Sequence, residues 1–299
     1  MLRTTVTVLS LTIALTAQAP QANPPAAPGG AAVARTAQQE VATLIAALHE
    51  GDAVALWDWL PSTYQHDVET LAHELADRID AKTYDRACRM VQKLAAIALD
   101  KQELVFGNAH ITGLLARNPD QATAARTAYG AVFTLLREVG NSDLGSIEGL
   151  RAFDGRTFLA GSGKPMLAAL FALAKTKGAD PQRELAQATV HTLQQDDDSA
   201  RIEVRLPGKA PEVTTYVHTD GRWLPEPMVQ DWTRDVARLR GKIAAMPKAD
   251  ARFTAQANLA LGMLEGYVKR LEDIETQAEF DTLCAEVMAL AGRGAAKVR

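Results

Sequence analysis

"ARIEVRLPGKAPEVTTYVHTDGRWLPE", residues 200–226, decides the fold class, because here the spacing of apolar residues changes from helical to alternating. Ile202, Val204 and Leu206 fall on one side of an extended chain and Arg201, Glu203 and Arg205 on the other, as in a half-buried strand. "EVTTYVH" follows across Pro207 and Gly208, and "GRWLP" follows Asp220 and Gly221. Upstream, "ATVHTLQQ" leads in across a turn at 196–199. Short alternating runs joined by tight turns predict an antiparallel meander of three or four strands over residues 188–226.

Both flanks read as helix. Thr36 followed by Gln39 forms a possible capping box, Val41, Leu44, Ile45 and Leu48 make a stripe, and Gly51 is a plausible stop. Asp52 can cap a short helix that Pro61 closes, and Ser62 the next, with Val68, Leu71, Leu75 and Ile79 on one face. Cys88, Val91, Leu94 and Ala98 repeat the pattern. Asn118, Pro119 and Gly140 then mark the start and the far side of another helix. After the strands, Trp232, Val236, Leu239, Ile243 and Met246 form a stripe ended by Pro247. Phe253, Leu261, Leu264, Val268 and Leu271 form the next, and a last helix frays into a tail. The expectation is an α+β protein, predominantly helical. A helical region spans 36–187, the sheet 188–226, and C-terminal helices 227–292 form a hairpin packing on the rest, with a tail at 293–299. These parts make one integrated domain or two tightly packed ones.

The N-terminus carries the layout of a secretory signal peptide over residues 1–22: Arg3, an apolar run at 6–15, then small residues at Ala17 and Ala19. A Pro-, Ala- and Gly-rich linker follows at 23–35. The expectation is export to the periplasm or the medium, with no membrane span left after signal removal. "PMLAALFALA", residues 165–174, covers only about half a span and suits a buried helix. A formal charge of −4 argues against phosphate-driven nucleic-acid binding.

Several strings invite a chemical reading. "AGSGKP", residues 160–165, lacks the early glycine and the Ser or Thr of a phosphate loop, so it reads as a flexible glycine turn into an apolar helix. "HDVETLAHELAD" puts His66, Glu69, His73 and Asp77 on one arc of a helix; three or four side chains from one helix seldom enclose an ion, so the arc reads as a solvated face and no metal is expected. "QQDDDSA" reads as a solvated hairpin turn. His191 and His218 read as a cross-strand surface pair. Cys88 and Cys284 sit on apolar faces and form either a disulfide across the chain or two buried thiols. Neither a nucleophile elbow nor a metalloprotease helix nor a dinucleotide fingerprint is present, and no cofactor is expected.

"WDWLPSTYQHD", residues 57–67, is the most function-like string. It reads first as a corner between two helices. As a ligand site, Trp57 and Trp59 would be its walls and Tyr64, His66 and Asp67 its polar groups, with Asp58 as a further carboxylate.

"ALHEGDAVALWDWLPSTYQHDV" resembles the first helices of uncharacterised exported bacterial proteins, with a Gly-Asp break, a Trp-x-x-Leu-Pro step and a Tyr-Gln. The stretch at 200–226 is similar to the closing strands of SnoaL-like cone-shaped α+β domains, where a "DG-x-W" turn enters the last strand. The second likeness implies a pocket between helix and curved sheet and carries over no catalytic residue. Together these readings give an exported soluble protein, a binding or accessory module of the cell envelope without catalysis of its own, whose partner is an envelope protein or a small ligand. The alternative is a small-ligand or enzymatic pocket between the sheet and residues 57–67.

Overall fold

The computed structural model describes residues 35–116, 119–246 and 251–296. The expected signal peptide, nearly all of the linker, Asn118 and Pro247 lie outside these residues. The chain is α+β and mostly helical, with one four-stranded antiparallel sheet between two helical segments. The helices are α1 (Ala37–His49), α2 (Val54–Trp59), α3 (Ser62–Ala76), α4 (Ala81–Asp100), α5 (Gln102–Gly107), α6 (Ala109–Leu115), α7 (Pro119–Asn141), α8 (Ile147–Arg151), α9 (Gly155–Phe158), α10 (Lys164–Lys175) and α11 (Pro181–Ala186). Then come β1 (Thr189–Gln195), β2 (Ser199–Arg205), β3 (Glu212–Thr219) and β4 (Arg222–Pro225), followed by α12 (Glu226–Ala245), α13 (Ala251–Asp273) and α14 (Gln277–Ala296).

The strands pair in sequence order, β1-β2-β3-β4, with Ala200 opposite Tyr216 and Tyr216 opposite Pro225. Asp220 and Gly221 both adopt positive φ, 49° and 77°, which closes the β3–β4 hairpin in a primed turn matching the strand twist. Cross-strand pairing puts Ala200, Ile202, Tyr216 and Trp223 on one face, all buried. Leu224 points to the other face and is also buried, so the β3–β4 end is covered on both sides. Helix α1 packs on β1, β2 and β4, and α12 on β3 and β4. Edge strand β1 is largely exposed; a register break between Thr192 and Gln194 interrupts it, and the Gln38 side chain accepts from the Thr192 N–H, both of which blunt the edge. His191 and His218 are not neighbours, because β2 lies between their strands: His191 faces Glu203, and the His218 ring meets Trp223 instead.

Local sequence signals hold with some displaced positions. The Thr36–Gln39 capping box forms in both directions, and Gly51 ends the α1 turn at φ +82°. Asp52 accepts the Val54 N–H at 3.0 Å, as a cap one residue earlier than the usual position. Ser62 does not cap α3; it is the first helical residue, because Pro61, with φ fixed at −55°, takes the cap position and has no N–H to satisfy. Gly140 lies inside the last turn of α7 rather than beyond it, where an added Cβ would stand 3.0 Å from Gln92 Cβ, so the glycine admits close approach of α4. "AGSGKP" is no flexible turn: Leu159–Gly163 is a π-helical turn joining α9 to α10 without a break. The joined helix, Gly155–Lys175, thereby has the length and composition to cross a membrane, which the ten-residue apolar run alone lacked. Here it packs along α7, with Leu167, Ala169 and Ala174 buried.

One core joins α1, α2, α3, α10, the sheet and α12. The expected C-terminal hairpin around the sheet is divided. Helix α12 packs on the sheet, whereas α13 packs along α4 and α14 against α5. Arg86–Glu265 and Lys93–Glu272 ion pairs share one sequence offset, so α4 and α13 run parallel. The last helix extends to Ala296, past the residue 292 boundary.

Leu48, 2% exposed, and Leu114, 57% exposed, test where the core lies. Leu48→Ala should cost about 2–4 kcal/mol in urea unfolding and Leu114→Ala within about 0.5 kcal/mol. Similar losses at both positions would contradict this placement.

Candidate functional site

Residues 57–67 form the corner between α2 and α3. Leu60 leaves α2 in an extended conformation, as a residue preceding proline favours, so the Trp57 carbonyl keeps one helical bond, from the Leu60 N–H at 3.0 Å, and the Leu60 carbonyl lies beyond the helix. Gln65 answers them: its Nε2 donates to Trp57 O at 2.8 Å and to Leu60 O at 3.0 Å. Thr63 Oγ1 donates to Asp220 Oδ2 at 3.0 Å, tying the corner to the β3–β4 turn.

Each residue singled out from the sequence has a definite position. Trp57 is buried and lies so close to Gly155 that a Cβ there would overlap the indole, at 2.2 Å; that explains the glycine at the start of α9. Trp59 is buried, with its N–H donating to Trp223 O at 3.2 Å, across from α2 to β4. Tyr64 is buried and stacks on Trp232 with ring centroids 4.1 Å apart and planes 6° from parallel. Asp67 Oδ2 accepts the Trp232 N–H at 2.9 Å. His66 is exposed, its Nε2 3.4 Å from Thr70 Oγ1 of the next turn. Asp58 makes a two-pronged pair with Arg156 at 2.9 and 3.0 Å, in water. The structure thus brings Tyr64 and Asp67 together through Trp232 and leaves His66 apart.

The Tyr64 hydroxyl is pushed up to about 12, first by burial and then by the charges of Asp220 and Asp67. Burial likewise pushes Tyr216 to about 12, with Glu212 adding to it.

The His66–Asp77 arc is not wholly solvated. Glu69 accepts the Gly155 N–H at 3.4 Å and His73 Nε2 lies 3.3 Å from Phe153 O, because the α8–α9 connection docks on this side of α3. Among the described residues no group of three or more His, Cys, Asp or Glu side chains is placed to hold a metal ion. The acidic turn is ordered by its own bonds: Asp196 accepts from the N–H and hydroxyl of Ser199 and from the Asp198 N–H, and those bonds hold its carboxyl below the usual range. Cys88 and Cys284 are free thiols in separate places, Cys88 by Leu144 and Cys284 beside the Phe280–Leu283 cluster.

Two hollows lie elsewhere. One, of about 300 Å³, sits between the Gly51–Asp52 loop and the π turn, with Lys164 at its side. Another, of about 250 Å³, lies between α1 and the α11–β1 junction, with His49 and Ile45 on its wall. Both fall at or below the small end of ligand sites, roughly 300–1,000 Å³.

Sequence reasoning passed over three buried carboxylates among the described residues, of which Glu184 pairs with Lys209 at 2.6 Å. Glu40 accepts the Trp223 N–H at 3.1 Å and lies 3.5 Å from the Arg222 guanidinium, so it fixes α1 to β4. Asp235 is fully buried and neither of its oxygens has a hydrogen-bond partner; Arg238 Nη2 stands 3.0 Å from Oδ2 as its counter-charge. The one signal for Asp235 was its place inside the Trp232–Val236–Leu239 stripe. Comparisons with family models, curated proteins and solved structures return no match.

The raised tyrosines set an alkaline limit. Their unfolded value is 10.0, so the stability they contribute is complete below pH 10 and lost as pH rises from there through about 12. Absorbance at 295 nm should show a tyrosinate step near pH 12 coincident with loss of circular dichroism, and Tyr64→Phe should weaken that coupling. Ionisation of all five tyrosines near pH 10 in the folded protein would contradict the burial.

Proposed function

We propose that this chain is an exported, soluble binding or accessory module of the cell envelope, without catalysis of its own. The geometric observation behind the reading is how residues 57–67 use their polar groups. Trp59 and Asp67 each bond a distant part of the fold, Gln65 ties the corner to itself, and the Tyr64 ring is covered by Trp232. Groups so engaged act as joints, and a site for turnover needs convergent groups left open to a substrate. The alternative, a ligand pocket between the sheet and this corner, competes with Trp232 for the face of Tyr64. The leader layout of residues 1–22 and the Pro- and Ala-rich linker support the address, periplasmic or secreted, and an envelope protein as partner.

Cell fractionation with N-terminal sequencing tests the address: the protein should appear in the periplasm or medium, trimmed near residues 17–22. Untrimmed protein confined to the cytosol would end the export reading. A broad substrate screen tests the rest, since turnover that falls with His66→Ala would replace the accessory role by an enzymatic one.

A further inference from the structure

Between α4 and α13 runs a seam made mostly of charge. The Arg86–Glu265 and Lys93–Glu272 pairs share an offset of 179 residues. The same offset sets Lys82 level with Leu261 and Arg89 level with Val268. At about 100° per residue, Lys82, Arg86, Arg89 and Lys93 fall within an arc of about 60° on α4. Leu261, Glu265, Val268 and Glu272 fall within an arc of about 60° on α13. Both sets step by four and three residues, the spacing of a parallel coiled-coil seam. Such a seam ordinarily sets apolar side chains against one another. Here α4 contributes four cations, and α13 meets two of them with glutamate and two with an apolar side chain. Lys82 and Arg89 have no ion pair among the described residues. Charge therefore fixes the register and direction of α13, while little apolar contact is made.

The two ends of α13 are held unequally. Its C-terminal end runs into the Ile274–Phe280–Leu283 cluster. There Lys101 Nζ donates to Ile274 O, Gln277 Nε2 to Leu104 O at 2.9 Å and Asn108 Nδ2 to Asp281 Oδ1 at 2.6 Å. From Thr254 to Asp273 only Leu261 and Val268 are buried, and neither belongs to that cluster or to the main core. The first half is tied chiefly by Arg86, which donates to Asn258 Oδ1 at 2.9 Å and to the two Glu265 oxygens at 2.7 and 2.6 Å. Gly262 and Gly266 weaken the helix between these ties. An added Cβ at Gly266 would meet nothing, so no close approach calls for a glycine there. The side chains of both ion pairs are 30–45% exposed, which leaves them open to screening by salt.

We infer that α13 is a strap whose Ala251 end lifts off α4 when the charges of the seam are screened. The Ile274 end stays docked and serves as the hinge. Closed, the strap engages Arg86 and Lys93; open, it leaves a row of four cations on α4 free for an anionic ligand. The strap is thus a conformational device of the kind drawn from the least protected part of a fold. It rests neither on the export reading nor on the accessory role.

Hydrogen exchange of the full chain at about 0.05 M and about 1 M sodium chloride tests it, since the screening length at the higher salt is about 3 Å. Relative to β3, amides of residues 254–265 should exchange at least about tenfold faster at the higher salt, and those of residues 274–283 should not change. Glu265→Gln combined with Glu272→Gln should give the same opening at low salt. Lys82→Leu combined with Arg89→Leu supplies apolar partners to Leu261 and Val268, and should slow exchange at residues 254–265 by at least about threefold. If the glutamine variant does not fold, the salt series and the leucine variant decide. Exchange at residues 254–265 that is the same at both salts, or unchanged in either folded variant, would overturn the proposal.

Discussion

The indole of Trp232 is held twice: its face lies on the Tyr64 ring and its N–H bonds Asp67. Tyr64 and Asp67 stand one turn apart on α3, so a single side chain of α12 is fixed in position and in rotation by one helix face. The stack is worth about 0.5–1.5 kcal/mol beyond the area it buries, and a hydrogen bond to a charged acceptor about 1.5–3 kcal/mol. Helix α12 follows directly on β4, so fixing it against α3 also fixes the end of the sheet. The rest of the core depends on that junction.

Three further bonds reach the same strand from different elements. Trp59 of α2 donates to the Trp223 carbonyl, Glu40 of α1 accepts the Trp223 N–H, and the Trp223 indole donates to Arg35 O. A four-residue edge strand would be weak alone, but here both backbone groups of its central tryptophan are paired outside the sheet ladder. The buried Glu40 charge is expensive unless fully bonded, and the Trp223 N–H with Arg222 nearby offsets that cost. Specificity of packing follows: sliding α1 by one residue would leave a buried carboxylate without its donor.

Local chemistry explains what could be read from residue order alone. Alternation across Ile202 and Val204, the Asp220–Gly221 turn and the Thr36–Gln39 box are interactions within a few residues, and each appears in the fold. Corner formation at Pro61 was legible for the same reason. The partners of the corner were not, because Trp223 and Trp232 lie more than 160 residues away and neither 3.6- nor 2-residue periodicity encodes which distant element arrives. Glu40 and Asp235 were opaque for a related cause: a carboxylate in an amphipathic helix reads as surface until a donor or a counter-charge meets it. Likewise the π turn at Leu159–Gly163 leaves no trace in the apolar pattern, and it turned two short helices into one long one.

A double-mutant cycle measures the junction most directly. Tyr64→Ala, Trp232→Ala and the pair together, compared by urea unfolding, should give a coupling of about 1–3 kcal/mol between the two positions. Additive losses within about 0.3 kcal/mol would show that the rings do not support one another, and would contradict the account of residues 57–67 as the joint between helices and sheet.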